Sequence, residues 1–419
     1  MKMSLSLIAV IWIAMSWLSA DCLAADEDSA IGSTPNASEN TAASEKTVST
    51  RDELVAALRD ARPGDVIRVA AGTYRGGIEL RGIHGTESAT VRLVAADAKK
   101  PPLFDGGASG LHITDSSFLE INGLHLRNAT GNGINIDEGG ASRPAARGIV
   151  LRNLVVSDVG PKGNRDGIKL SGLDNFKVED CRVERWGTGG SGIDLVGCHD
   201  GVISGCSFQR DPADKEGAQQ ANGVQMKGGS ARIVVRRCLF KNAGGRAVNL
   251  GGSTGKEYFR PLGADHEARD LTVEDCQFIG GMTPVAFVGV DAATVRYNTI
   301  YHPGRWGLRI LQENRGPEFV PSRNGVFSNN IVVFRSDQLA ETVNIGPGTA
   351  PDTFTFADNV WYCDDRPDQS QRRVRLPVSE KNGTYGVDPL LVDPMQDRLN
   401  LTANSPVKNA GVRMKQPVP

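Results

Sequence analysis

The sequence predicts an all-β chain coiled as a parallel β-solenoid. Three observations carry that reading. A four-residue motif recurs as Gly133-Ile134-Asn135-Ile136, Gly167-Ile168-Lys169-Leu170, Gly192-Ile193-Asp194-Leu195 and Gly223-Val224-Gln225-Met226. Looser copies end at Leu250, Phe287, Ile310 and Ile345. A second motif interleaves with it, as in Val178-Glu179-Asp180-Cys181-Arg182-Val183 and Val273-Glu274-Asp275-Cys276-Gln277-Phe278. Both alternate apolar and polar residues with the period of a strand, at an irregular interval of roughly 20–40 residues. Finally, 49 glycines and only 6% aromatic residues suit a turn-rich β chain, and long stretches of helical period are missing.

Taken in order, the chain opens with Lys2 and an apolar run from Leu5 to Leu18, followed by Cys22-Leu23-Ala24. This is the pattern of a cleaved export signal over 1–24, which implies a periplasmic, cell-surface or extracellular protein. The run is short for a membrane anchor and lacks a basic stop, so no stable membrane insertion is expected after cleavage. Residues 25–46 have few large apolar side chains and read as a solvated linker. The solenoid is expected over 47–411, with a C-terminal tail at 412–419. Thr50 and Glu53 form a capping box ahead of Leu54, Ala57, Leu58 and Ala61, which predicts an amphipathic helix closing the first coil. That coil starts at Val66-Ile67-Arg68-Val69. Residues 398–411 read as a last strand and its tail. A monomer is expected.

The second motif defines a column of Asn153, Cys181, Cys206, Cys238, Cys276, Asn298 and Asn330. Stacked asparagines share hydrogen bonds along a solenoid, and cysteines act as small buried hydrophobes. A disulfide such as Cys181–Cys206 is geometrically open, but buried free thiols are the favoured reading. No cysteine spacing suits zinc.

The formal net charge of −2 lacks the basic excess of a nucleic-acid binder, so no nucleic-acid partner is expected. In the first motif the middle residue faces outward. That column runs Asn135, Lys169, Asp194, Gln225, Asn249, Ala286, Arg309 and Asn344, and the next outward column includes Asp137 and Lys227. An acidic polysaccharide is the natural partner of such a strip. Cleaving one by β-elimination needs a base for the proton beside the sugar carboxylate and a cation to neutralise that carboxylate. A lysine can be the base, and calcium or arginine the cation.

With its opening GDVIRVAAGTY and its closing LNLTANSPVKNAG, the chain resembles secreted right-handed parallel β-helices of the pectin-lyase type. Three positions are similar to the pectate lyases of polysaccharide lyase family nine. NRDGI, residues 164–168, resembles a calcium-ligand coil and implies Asp166 as a ligand. GSGIDL, residues 190–195, resembles that family's DDGWD coil and implies Asp194. Lys227 then falls where that family places its base. Gly190 and Ser191 stand where it has two leading aspartates, and Lys227 lies one place later than in its motif. Lys169, in DGIKLSG, is an earlier alternative. The alginate and chondroitin lyases of family six are similar more weakly, with Arg246 as a substitute for their arginine.

These readings name Lys227, Lys169 and Arg309 as catalytic candidates. Asn135, Gln225, Asn249, Arg246 and Trp306 are substrate-binding candidates, and Asp166 and Asp194 are candidate calcium ligands. A secreted polysaccharide lyase is the leading expectation, with a non-catalytic glycan-binding β-helix as the alternative. Hydrolysis ranks lower, because no paired carboxylates follow NRDGI and the Gly-His-Gly of polygalacturonases is missing.

Overall fold

The computed structural model describes residues 43–140, 143–214 and 216–413. The expected export signal, most of the expected linker and the end of the tail lie outside them. Three long parallel sheets run through the described residues, the first with 14 strands, the second with 12 and the third with 10. Each coil contributes one strand to each sheet, so the fold is a parallel β-helix.

The second sequence motif is two strands rather than one. Lys177–Glu179 pairs within the first sheet and Arg182–Glu184 within the second. A tight corner separates them. Its first residue has positive φ in coil after coil: Asp180 at 54°, Arg237 at 52°, Asp275 at 55° and Asn329 at 54°. Asn and Asp tolerate this left-handed region best among residues with side chains, which explains the motif's polar residue ahead of its cysteine.

This geometry corrects the interior column by one residue. Val155 pairs with Arg182, so Leu154, not Asn153, precedes Cys181 in the stack. Asn153 is an exposed corner residue at φ 52° and bonds Asn122 instead. The ladder itself runs Cys181, Cys206, Cys238, Cys276, Asn298, Asn330 and Asn359. Asn298 Nδ2 donates to Asn330 Oδ1 at 2.9 Å, Asn330 Nδ2 to Asn359 Oδ1 at 3.1 Å, and Asn359 Nδ2 to Glu380 at 2.7 Å. The six cysteines of the described residues are buried free thiols. A parallel stack of Phe208, Phe240 and Phe278, with ring centroids 4.9 Å apart, fills the interior behind the second sheet.

The helix Arg51–Arg59 forms with its capping box and buries Leu54, Ala57 and Leu58 over the first coil. A strand at Glu45–Val48 pairs with Val66–Val69, so the first sheet starts two residues earlier than expected. At the far end the expected last strand and tail are present, but outside the three sheets. Arg398–Leu401 pairs antiparallel with Leu391–Asp393 and joins none of the three sheets. The segment then packs Val407 and Ala410 on the outside of the second sheet, against Ile331, Val333 and Val360. It ends with Val412 N donating to Thr299 and with Arg413 paired to Asp275.

Candidate functional site

Every copy of the first sequence motif lies in the ten-stranded sheet, and the two outward columns keep the expected register. Asn135 pairs with Lys169, Lys169 with Asp194, Asp194 with Gln225, Gln225 with Asn249, and Ala286 with Arg309. Two earlier strands, Ile78–Arg81 and Leu111–Thr114, extend the same sheet. They add His112, whose Nε2 lies 2.7 Å from Asp137 Oδ2. The glycine that announces later copies of the motif is present at Gly77 and Gly110, but the strands after them carry Glu79 and His112 in the outward position.

Lys169, Asp194 and Lys227 meet at the middle of this sheet. Asp194 faces outward yet its side chain is only 1% exposed, because one lysine covers it from each neighbouring coil. Lys169 Nζ hydrogen-bonds Asp194 Oδ2. Lys227 Nζ stands 3.4 Å from Asp194 Oδ1 and donates to Gln225 Oε1 at 3.3 Å. Asp166 lies beneath Lys169, with Oδ2 4.0 Å from its Nζ and Oδ1 accepting from Ser191 N at 2.7 Å. Burial, then the charge of Asp194, pushes the Asp166 carboxyl up to about 7 against the pull of Lys169. Burial opposes the charge on Lys169, but Asp194 and Asp166 outweigh it and hold that ammonium above its ordinary range.

The site does not fit a calcium ion. Calcium takes six to eight oxygens, and only two carboxylates are offered here, both ion-paired with lysine; Asp194 Oδ1, which accepts no hydrogen bond, is one buried oxygen left over. Position 190 has no room for an acidic side chain, since a Cβ there would lie 2.0 Å from Arg165 O. Of the loop carboxylates that could substitute, Asp211, Asp214 and Glu216, Asp214 is paired with Arg210 and Asp211 accepts from Ala213 N. No cluster of three or more His, Cys, Asp or Glu suited to a metal occurs among the described residues.

Arg309 does not join the lysines. It lies three strands beyond Lys227, stacked on Trp306 at 4.1 Å and donating to Asn344 Oδ1 at 2.9 Å. Arg246 pairs with Glu313 and approaches the buried Asn249 at 3.4 Å. Asn135 donates to Asp137 rather than to the lysine cluster.

Sequence reasoning missed Glu267. It is 1% exposed and accepts from Gly228 N at 2.8 Å, Thr254 N at 2.7 Å, Thr254 Oγ1 at 2.8 Å and Asn314 Nδ2. It thereby ties residues 252–267 and Asn314 to the turn that follows Lys227. Arg260 anchors the same loop through Asp174 and Gly197 O. Glu267 lies outside both repeating motifs, so no periodic signal marked it. Gly252 in this loop approaches the site closely, and a Cβ there would meet Gln225 Nε2 at 2.5 Å.

Residues 104–260 match the family model described as "Right handed beta helix region". No curated protein matches the chain. Among solved structures, a PL6 family polysaccharide lyase from Pseudopedobacter saltans is similar at 14% identity and TM-score 0.54, covering 88% of this chain and 99% of that one. The pectate lyase Pel9A is similar at 16% identity and TM-score 0.50, covering 86% of each chain. At these identities the likeness is one of fold. No helix among the described residues is long and apolar enough to cross a membrane.

Proposed function

We propose, from a right-handed parallel β-helix that carries two lysines over one buried carboxylate, that this chain is an exported polysaccharide lyase cleaving a uronate-containing polymer by β-elimination. The observation that supports it most is the Lys169–Asp194–Lys227 cluster on the exposed sheet. Lys169, kept protonated by Asp194 and Asp166, neutralises the sugar carboxylate, the part calcium would otherwise play. Lys227 acts as the base that removes the proton on the carbon beside that carboxylate. The carbon–carbon double bond forms as the bond to the glycosidic oxygen breaks; the leaving oxygen takes up a proton from water, and Lys227 returns the one it removed to solvent. Asp194 positions both lysines.

A non-catalytic glycan-binding role is the second reading, favoured by the fact that both lysines are already ion-paired. Ultraviolet absorbance of the unsaturated product, on polygalacturonate, alginate and glycosaminoglycans, separates the two. The lyase reading expects product from one polymer, unchanged by chelator, and a loss of at least about 10²-fold in Lys227→Ala and in Lys169→Met with binding retained. Binding without product on any polymer would establish the second reading. Full activity in Lys227→Ala would remove that lysine from the mechanism.

A further inference from the structure

Many arginines on the other two sheets are ion-paired: Arg152 holds Glu179, Arg185 holds Asp158, Arg232 holds Asp200 and Arg323 holds Asp291. At the C-terminal end of the ten-stranded sheet several arginines without an ion pair come together. Arg305, Arg309, Arg372, Arg373 and Arg375 make no ion pair among the described residues, and they are gathered by the fold. Arg305 O accepts from Ala340 N and Glu341 N, and Trp306 is in register with Glu341. Thr342 Oγ1 donates to Arg373 O and accepts from Arg375 N. A cavity of about 400 Å³ lies between Glu341, Thr342 and the three arginines at 372, 373 and 375. Trp306 carries a guanidinium at 4.4 Å from Arg305 and another at 4.1 Å from Arg309. Burial, then the nearby Arg246, lowers the Arg309 pKa, against the pull of Glu313. Asn249, beside Arg246, has a buried Nδ2 without a partner. Of the nearby acids, Glu313 is already on Arg246, Glu341 accepts from Asn344 Nδ2, and Asp365 accepts from Ser336 N and Oγ.

We propose that this arginine-rich end is a second carboxylate-binding subsite, so that the preferred substrate is a polyuronide long enough to reach from Lys227 to Arg309 and beyond. The inference rests on the reading of the lysine cluster as the reaction point. Three strand spacings separate Lys227 from Arg309, about 14 Å along the helix axis. Arginine suits the task because its planar fork takes a carboxylate through two hydrogen bonds, and Trp306 can hold that fork flat. A neutral glycan of equal length would gain nothing from it.

The test is calorimetric binding of size-graded galacturonate and alginate oligomers to the Lys227→Ala protein, which does not consume them. Affinity is expected to rise steeply at the length that spans about 14 Å. Arg309→Ala, and separately the surface change Arg372→Ala, should weaken long oligomers at least about tenfold and leave short ones within about twofold. Affinity independent of length would overturn the proposal, as would equal losses for short and long oligomers or equal binding of neutral oligomers. Failure of the lyase reading is seen separately, as absence of unsaturated product from the unmutated protein while length-dependent binding persists.

Discussion

A carboxyl group that ionises only near neutrality leaves a thermodynamic trace. Asp166 keeps its proton in the folded chain up to about 7, whereas the unfolded chain releases it near the ordinary aspartate range of 3.8. Between those values the folded state binds more protons, so its stability falls as pH rises through that window. Asp166→Asn removes this dependence and keeps an oxygen for the Ser191 amide. Denaturant midpoints should therefore drift downward from pH 4.5 to pH 8 in the native chain more than in the variant. Asp194 predicts the opposite kind of outcome. Asp194→Asn strips the charge shared by Lys169 and Lys227 and leaves only Asp166 to hold Lys169 protonated. Product formation should drop at least about tenfold at pH 7, and the loss should deepen as pH rises, because Lys169 without Asp194 gives up its proton more readily. A flat pH–rate ratio between variant and parent would contradict that role. The register that brings these residues together was legible in the sequence, because period-two alternation alone assigns faces. That Lys169 and Lys227 share one carboxylate was not, since it depends on side chains leaning between coils.

At the scale of single elements, the asparagine ladder and the Glu267 clamp use the same physics, buried donors that must find acceptors. Asn330 accepts from the backbone and side chain of Asn298 and donates onward to Asn359 and Val295 O. Asn330→Ala should cost about 3 kcal/mol, because buried donors on Asn298 are left unpaired. Asn153→Ala, at an exposed corner, should stay within about 1 kcal/mol, and urea titration of the two distinguishes them. The contrast shows where sequence reading slipped. Asparagine favours both the ladder and the left-handed corner, and the two positions are adjacent, so identity alone misplaced Asn153 by one. The C-terminal segment was read as a strand but left without its partner, for a different reason. Its alternation marks a strand but not its partner, and the antiparallel pairing with Leu391–Asp393 is a long-range choice. Glu267→Ala should lower stability by about 3 kcal/mol through the lost charge-assisted bonds at Gly228 and Thr254, and weaken activity by loosening the turn beside Lys227.

In the three sheets each strand pairs only with the coils next to it, so stability is largely local along the axis. The capping helix then protects one end specifically. Leu54→Ala, which empties a fully buried site, should cost about 2–5 kcal/mol. Hydrogen exchange should speed first in the coils nearest residue 66 and leave those beyond residue 270 protected. Uniform acceleration would show that the helix unfolds as one unit instead. The repeats and the capping box made the coils and the N-terminal cap legible from sequence, while the pairing of the C-terminal piece, which breaks the repeat, needed the structure. The cysteine column has one more consequence. Burial raises the Cys181, Cys206 and Cys238 thiols well above their ordinary range, and with Cys276 they sit in four successive coils with no solvent contact beyond 1%. They form a row of built-in gauges: a thiol-directed reagent can mark each only when its own coil parts from the next, so the order of labelling would map where along its length the molecule breathes.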